Sequence, residues 1–188
     1  QKLREAELGI KNDPAERLRL QRKLFVQPLC EALGYGFSPK AEPVLIGEQA
    51  YQIPLLGEVR NGKDEPLLWL VECFNPSDEE VDPLELTIST RWGCQIDDPS
   101  LGIVVGADDE ASKETWEELI SERVFGQEIP PRWVLAISRD QLLLIDRQKW
   151  AASRLLRFEL DTLLGDNNPD ALLAAATLLH REHTCPSD

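Results

Sequence analysis

The chain has 188 residues, 20 of them Lys or Arg and 34 Asp or Glu, for a formal net charge of −14. That length is enough for one domain with a sizeable core. A hydrophobic share of 42%, gathered in clusters, argues against a disordered chain. No apolar run approaches the roughly 20 residues of a membrane span, and the acidity argues against a protein that binds nucleic acid over its whole surface.

In chain order, residues 1–13 are read as a basic lead, the start of the cation-rich stretch that runs to Lys23. Residues 14–33 read as a helix, with Asp13 as N-cap and Pro14 in the first turn. Leu18, Phe25, Leu29 and Leu33 fall on one face, Pro28 introduces a kink and Gly34 closes the helix. Three extended segments follow. Val44 to Ile46 is short. Tyr51 to Val59 contains Pro54 and reads as an edge or irregular strand. Asn61-Gly62 signals a hairpin turn. Pro66 to Phe74 is almost continuously apolar, the pattern of a strand buried on both faces.

Residues 75–100 are irregular, rich in Pro, Asp and Ser, with a short strand expected at Leu101 to Val105. Ser112 to Phe125 is helical in pattern, with Ser112 as N-cap or Thr115-x-x-Glu118 as the alternative start. Arg132 to Ser138 and Gln141 to Asp146, joined by Arg139-Asp140, have the spacing of a two-residue hairpin. Arg154 to Leu160 alternates like a half-buried strand. Pro169 to Arg181 is helical, with Leu172, Leu173, Ala176, Leu179 and His180 placed on one stripe. The domain reading is 14–165 for an α/β unit and 166–188 for a C-terminal helix. The chain has no Met and stops just after a helical pattern, so it is read as a piece of a longer protein with a further region downstream.

Four cysteines, Cys30, Cys73, Cys94 and Cys185, form no CxxC pair. Each sits in or beside an apolar stretch. They read as reduced, buried thiols, which points to a reducing compartment such as the cytoplasm. No signal peptide is visible. The only histidines, His180 and His183, stand three apart near the last helix. They have no obvious further metal ligands and no nucleophile elbow to serve, so no metal site is assigned. Neither a P-loop nor a dinucleotide-binding fingerprint is present.

Charge is distributed unevenly. Residues 1–23 carry seven cations to four acids, and residues 139–157 carry five to two. If the chain touches DNA, the candidates are therefore Arg17, Arg19, Arg22 and Lys23 on the first helix, and Arg139, Arg147, Lys149 and Arg154 on the hairpin and its continuation. The acidic stretch of Asp78, Glu79, Glu80 and Asp82 is either a solvated loop or a docking face for a basic partner. Glu72 ends a buried apolar strand. An ionised carboxylate is costly there without a partner, so it marks a site or simply emerges into solvent. With Glu58 on the preceding strand, it forms the pair of candidate acids if the chain is an enzyme. Such a set would need Mg²⁺ and a Lys to cut a phosphodiester.

The succession of helix, Leu33-Gly34-Tyr35, two strands joined by a turn, and Leu68-Trp69-Leu70-Val71-Glu72 resembles the N-terminal nuclease-like module of restriction enzymes. Its fold is of PD-(D/E)xK type with αβββαβ order. Pro131-Arg132-Trp133-Val134-Leu135-Ala136-Ile137-Ser138 with Leu142-Leu143-Leu144-Ile145-Asp146 resembles the strand pair that follows. Ala174 to Pro186 is similar to the lead into very large adenine-specific DNA methyltransferases of type IIG-like restriction–modification and phage-defence systems. The resemblance implies an α/β fold: a mixed β-sheet flanked by helices, a restriction-endonuclease-like core, an added β-hairpin and a C-terminal helix. It also implies DNA as a partner through the parent protein, other defence proteins as possible partners, and S-adenosylmethionine bound elsewhere in the parent. The sequence departs from the active pattern. The second strand reads Tyr51-Gln52-Ile53-Pro54 without an Asp, and Glu72-Cys73-Phe74 has Phe74 where the pattern needs Lys. The resemblance thus implies a non-catalytic domain for DNA positioning or partner docking. Of the family's acidic set the resemblance implies a match at Glu72 and at Glu31 on the first helix. The alternatives are a Mg²⁺-dependent endonuclease with a rearranged site built on Glu72, Glu58 and acids of the 78–85 loop, and an acidic protein-interaction module.

Overall fold

The computed structural model describes residues 13–75, 77, 79–88, 113–165 and 168–186. The expected strand at Leu101 to Val105, the alternative cap Ser112, Cys94 and Asp78 lie outside the described residues.

Asp13 opens the first helix as its sequence suggests: its carboxylate accepts the Glu16 N–H at 3.1 Å and its carbonyl the Arg17 N–H at 3.0 Å. The helix is not a single α-helix. α1 (Pro14–Gln21) runs into a π turn (Arg22–Val26) and then α2 (Gln27–Ala32). Pro28 has no N–H to give to the carbonyl four residues back. The widened turn precedes it, with the Gln27 N–H reaching back five residues to Arg22 O. The expected kink is therefore a π turn. It also shifts the buried stripe: Leu18, Arg22, Val26 and Cys30 are buried, with Phe25 and Leu29 only partly covered. Gly34 takes φ +79° and ends the segment.

β1 (Lys40–Ile46) and β2 (Gln49–Leu55) form an antiparallel hairpin. The extended run predicted from Tyr51 to Val59 divides at Leu56. β3 (Gly57–Arg60) leaves the hairpin and joins a second sheet. The division depends on Gly57, where a Cβ would lie 2.4 Å from the Gly36 carbonyl oxygen, so only glycine lets these two backbones meet. The turn after β3 spans five residues: Asn61 accepts the Lys63 and Glu65 N–H groups on its side chain, and Asp64 takes φ 62°.

The main sheet has five strands in the order β3, β4 (Pro66–Glu72), β5 (Trp133–Ile137), β6 (Gln141–Asp146) and β7 (Leu155–Glu159). β4 and β5 are parallel, and every other neighbouring pair is antiparallel. The crossover from β4 to β5 carries a 3₁₀ turn (Pro83–Glu85), then α3 (Trp116–Glu118) and a second π turn (Leu119–Val124). Thr115 caps α3 in a reciprocal capping box with Glu118, the second of the two predicted starts. After β6 come α4 (Arg147–Trp150), β7, α5 (Leu160–Gly165), α6 (Pro169–Leu179) and α7 (Arg181–Thr184).

The chain is thus an α/β protein in which a mixed sheet separates two apolar layers. On one face Trp69 and Val71 of β4 pack with Tyr51 and Ile53 of the hairpin and with Trp116, Leu119 and Ile120. On the other, Leu68 and Leu70 pack with Val26, Cys30, Tyr35, Leu179 and Cys185. β4 is buried on both faces, as its unbroken apolar run requires. The C-terminal helices belong to the second layer: the Tyr35 hydroxyl donates to Leu179 O at 2.8 Å and the Arg181 N–H to Leu33 O at 2.9 Å. The stripe placed on α6 is corrected. Ala175 and Leu179 are its buried residues, and Leu172 and Leu173 are 45% and 67% exposed. Among the described residues no helix is long and apolar enough to cross a membrane.

Candidate functional site: the end of strand β4

Glu72 does not emerge into solvent. Its side chain is 3% exposed, and both oxygens are engaged. Oε1 accepts from Gln21 Nε2 at 2.9 Å, and Oε2 accepts from Arg22 Nε at 2.6 Å. The geometry follows from the first helix: Gln21 ends α1, Arg22 begins the π turn, and both face the sheet. Arg22 is itself only 9% exposed in its side chain. The pair is therefore a charge-assisted contact sealed inside the molecule.

Among the described residues no group of three His, Cys, Asp or Glu gathers at Glu72, and its neighbours on the adjoining strands are apolar. Ile53, Leu55 and Leu56, on the run beside β4, are all buried and apolar, and Phe74 is 8% exposed. Glu58 lies opposite Trp69 in the β3–β4 register. Directly opposed residues share a face, and successive residues alternate. Trp69 and Glu72 are three apart, so Glu58 and Glu72 point to opposite faces of the sheet. Glu31 is exposed on α2, where it accepts from Gln27 Nε2 at 3.0 Å. The three candidate acids are not brought together, and they do not fit a shared Mg²⁺. Among the described residues no three His, Cys, Asp or Glu side chains converge as metal ligands. His180 serves the backbone instead, its Nδ1 accepting the Glu182 N–H at the start of α7.

Glu58 sits in a network with Lys40, Glu42 and Arg60. Lys40 Nζ lies 2.5 Å from Glu58 and 2.7 Å from Glu42, and Arg60 reaches both acids at 3.0 and 3.1 Å. Burial works to raise the Glu58 carboxyl, but hydrogen bonds from Arg60 and Lys40, helped by their charges, outweigh it and hold the group below the usual carboxylate range.

The DNA candidates divide. Arg17 and Arg22 are buried and are not surface cations. Arg19 is exposed and paired with Glu16 at 2.6 Å, and Lys23 is exposed. Arg139 pairs with its neighbour Asp140 at 3.2 Å, and Arg147 donates to Pro130 O at 3.3 Å. Lys149 and Arg154 are exposed. Of the acidic candidates, Glu79 and Glu80 are exposed. Asp82 is committed inside the domain, accepting from the Leu84 N–H at 3.0 Å and from Arg157 Nη2 at 2.7 Å. A cleft of about 310 Å³ lies beyond the carboxyl ends of β4 and β5, lined by Glu79, Glu80, Arg139, Asp140, Glu159 and Asp161 among others.

Sequence reasoning missed Gln21 and the inward role of Arg22. The signal was present: Arg22 stands four residues from both Leu18 and Val26, a cation on a buried stripe. Also missed was the bidentate Arg132–Asp146 pair at 2.9 and 3.1 Å, which ties the start of β5 to the end of β6.

Comparison with protein-family models, with curated proteins and with solved structures returns no match.

Proposed function

We propose that the chain is a non-catalytic, nuclease-like domain of a DNA restriction–modification or phage-defence methyltransferase, working in the cytoplasm and serving as a docking unit within that system. The observation that carries the non-catalytic part is the state of Glu72. Both of its oxygens are occupied by Gln21 and Arg22 in a buried pair. A carboxylate that binds Mg²⁺ for phosphodiester cleavage must offer a free oxygen beside a second acid. Among the described residues the positions beside it on the adjoining strands are apolar.

The family context rests on the resemblance of the αβββαβ order and its motifs. The described element order supports it: a helix, antiparallel strands, a crossover helix, then a strand parallel to β4. S-adenosylmethionine belongs to the parent protein and DNA is reached through it. Docking is favoured over DNA positioning because Arg17 and Arg22, half of the first helix's cations, are buried.

The test is incubation of the purified chain with supercoiled plasmid and Mg²⁺ or Mn²⁺, alongside calorimetric titration of each metal. No cleavage and no site tighter than about millimolar are expected. Nicking that disappears in Glu72→Gln would overturn the reading and make the chain an endonuclease.

A further inference from the structure

At the opposite end of β5 from the acidic cleft, the sheet carries a small apolar hollow. Its volume is about 220 Å³, and it is lined by Trp133, Leu144, Leu155 and Leu156, with Lys149 and Arg154 at the rim. This is below the usual size of a pocket for a whole small-molecule ligand. It is suited to one large apolar side chain. Leu156, one of its walls, is 46% exposed.

The hollow adjoins a free sheet edge. β7 pairs with β6 in register from Gln141↔Glu159 to Ile145↔Leu155, and among the described residues no strand pairs with its outer side. An open edge offers backbone N–H and C=O groups that a further strand can take up. Leu156 is opposite Leu144, so both point to the face that carries the hollow. A residue added beside Leu156 on that face would place its side chain next to the hollow.

Charge selects the occupant. Among the described residues Asp146 is the one carboxylate that lines the hollow, and Arg132 holds it with two hydrogen bonds. Among the described residues Lys149 and Arg154 form no ion pair. In a chain of net charge −14, two cations beside an apolar floor favour an acidic segment with one large apolar residue.

We propose that the outer edge of β7 is a docking site for an extended acidic–apolar peptide segment of another protein, which adds a strand to the sheet, seats one aromatic or aliphatic side chain in the Trp133–Leu144–Leu156 hollow and sets carboxylates against Lys149 and Arg154. This surface is distinct from the acidic face around Glu79 and Glu80. It stands whether or not the chain is of nuclease descent, and peptide binding is measured without reference to cleavage.

The probe is a labelled peptide of alternating Glu and Val with a central Phe, titrated into the full chain by fluorescence anisotropy. Hydrogen exchange is followed in parallel. The expected result is saturable binding with new amide protection within residues 155–159. Affinity should fall at least about tenfold in Lys149→Glu/Arg154→Glu and again in Leu156→Glu, all at exposed positions that leave the fold intact by circular dichroism. Replacing the peptide's Phe by Ala should weaken it, and exchanging its Glu for Lys should abolish it. The proposal fails if the acidic peptide shows no binding up to about 1 mM, or if the variants bind it unchanged. It also fails if a single-stranded oligonucleotide binds and loses affinity in the same variants, which would mark a nucleic-acid site. Concentration-dependent dimerisation that protects β7 without peptide would overturn it too, assigning the edge to a second copy of the chain.

Discussion

Glu58 and Glu72 sit on neighbouring strands of one sheet and meet opposite fates. Glu72 faces the layer beneath the first helix, where Gln21 and Arg22 close over it and leave its side chain 3% exposed. Glu58 faces the other way, at 17% exposure, and shares Lys40 and Arg60 with Glu42 at the rim of the hairpin. Each carboxylate is ion-paired, but both oxygens of Glu72 are engaged, whereas Glu58 uses Oε1 alone and its buried Oε2 has no hydrogen-bond partner among the described residues. A buried pair has lost its hydration, so each member depends on the other. A network at the rim keeps part of its water and is screened by salt. Being paired is therefore not one condition: the first arrangement fixes a helix on a sheet, and the second adjusts a surface.

The sharpest way to break this comparison is to remove one partner of the buried pair. Arg22→Ala leaves Glu72 charged and covered, and should cost about 3–5 kcal/mol in urea denaturation. A loss below about 1 kcal/mol would mean that water reaches Glu72 and that the contrast is false. Gly57→Ala comes next. Its methyl group would meet the Gly36 carbonyl at 2.4 Å, and overpacking against backbone should cost about 1–3 kcal/mol. An unchanged midpoint would show that the bend between the two sheets is not held there.

Glu58→Gln should cost no more than about 1 kcal/mol, and less in high salt. Its pH dependence has a definite sign. The Glu58 carboxyl is held below its ordinary 4.5, so its contribution is present above that value and lost as pH falls through the lower, folded one. The gap between wild type and variant should close on acidification below about pH 4. A gap that widens in acid would reverse the sign and remove the argument. The smallest net effect is expected from the double change Arg22→Met/Glu72→Leu. An apolar pair of similar size should bring stability back to within about 1 kcal/mol of wild type, or above it. If the double variant is as unstable as Arg22→Ala, the pair has a role beyond mutual neutralisation.

The strands were legible in the sequence where one signal dominated. The nearly continuous apolar run from Pro66 to Phe74 announced a strand buried on both faces, and the Arg139-Asp140 link between two β-rich runs announced a two-residue hairpin; a strand at Pro66–Glu72 and the hairpin are found. The division at Leu56 was not legible, because it depends on Gly36, which reaches Gly57 only after folding. On the first helix Leu18 and Leu33 are buried as read, but Val26 and Cys30 take the places given to Phe25 and Leu29, because a 3.6 period was carried through a turn that holds an extra residue. On α6 Leu179 is buried as read, while Leu172 and Leu173 are exposed and the small Ala175 faces inward. For the candidate site, Glu72 was rightly singled out as an acid in an expensive place. Its partners lie some 50 residues away in the chain, and nothing local to β4 names them. That Glu58 and Glu72 face opposite ways follows from the pairing of Glu58 with Trp69, a register that a five-residue turn left open.

The π turn at Arg22–Val26 makes the winding of the helix, as well as residue identity, a variable that guards Glu72. A π turn is an α-helix carrying one residue too many. Winding this turn to plain α-helix with all its residues kept would rotate everything before it by about 100° against Val26 and Cys30. Arg17, Gln21 and Arg22 would swing off the sheet together, leaving the carboxylate at the end of β4 without either donor. A change of winding at constant length is thus a path to an open Glu72 that needs no substitution at either donor, whereas loss of one residue here would shorten the turn and leave the flanking faces in place.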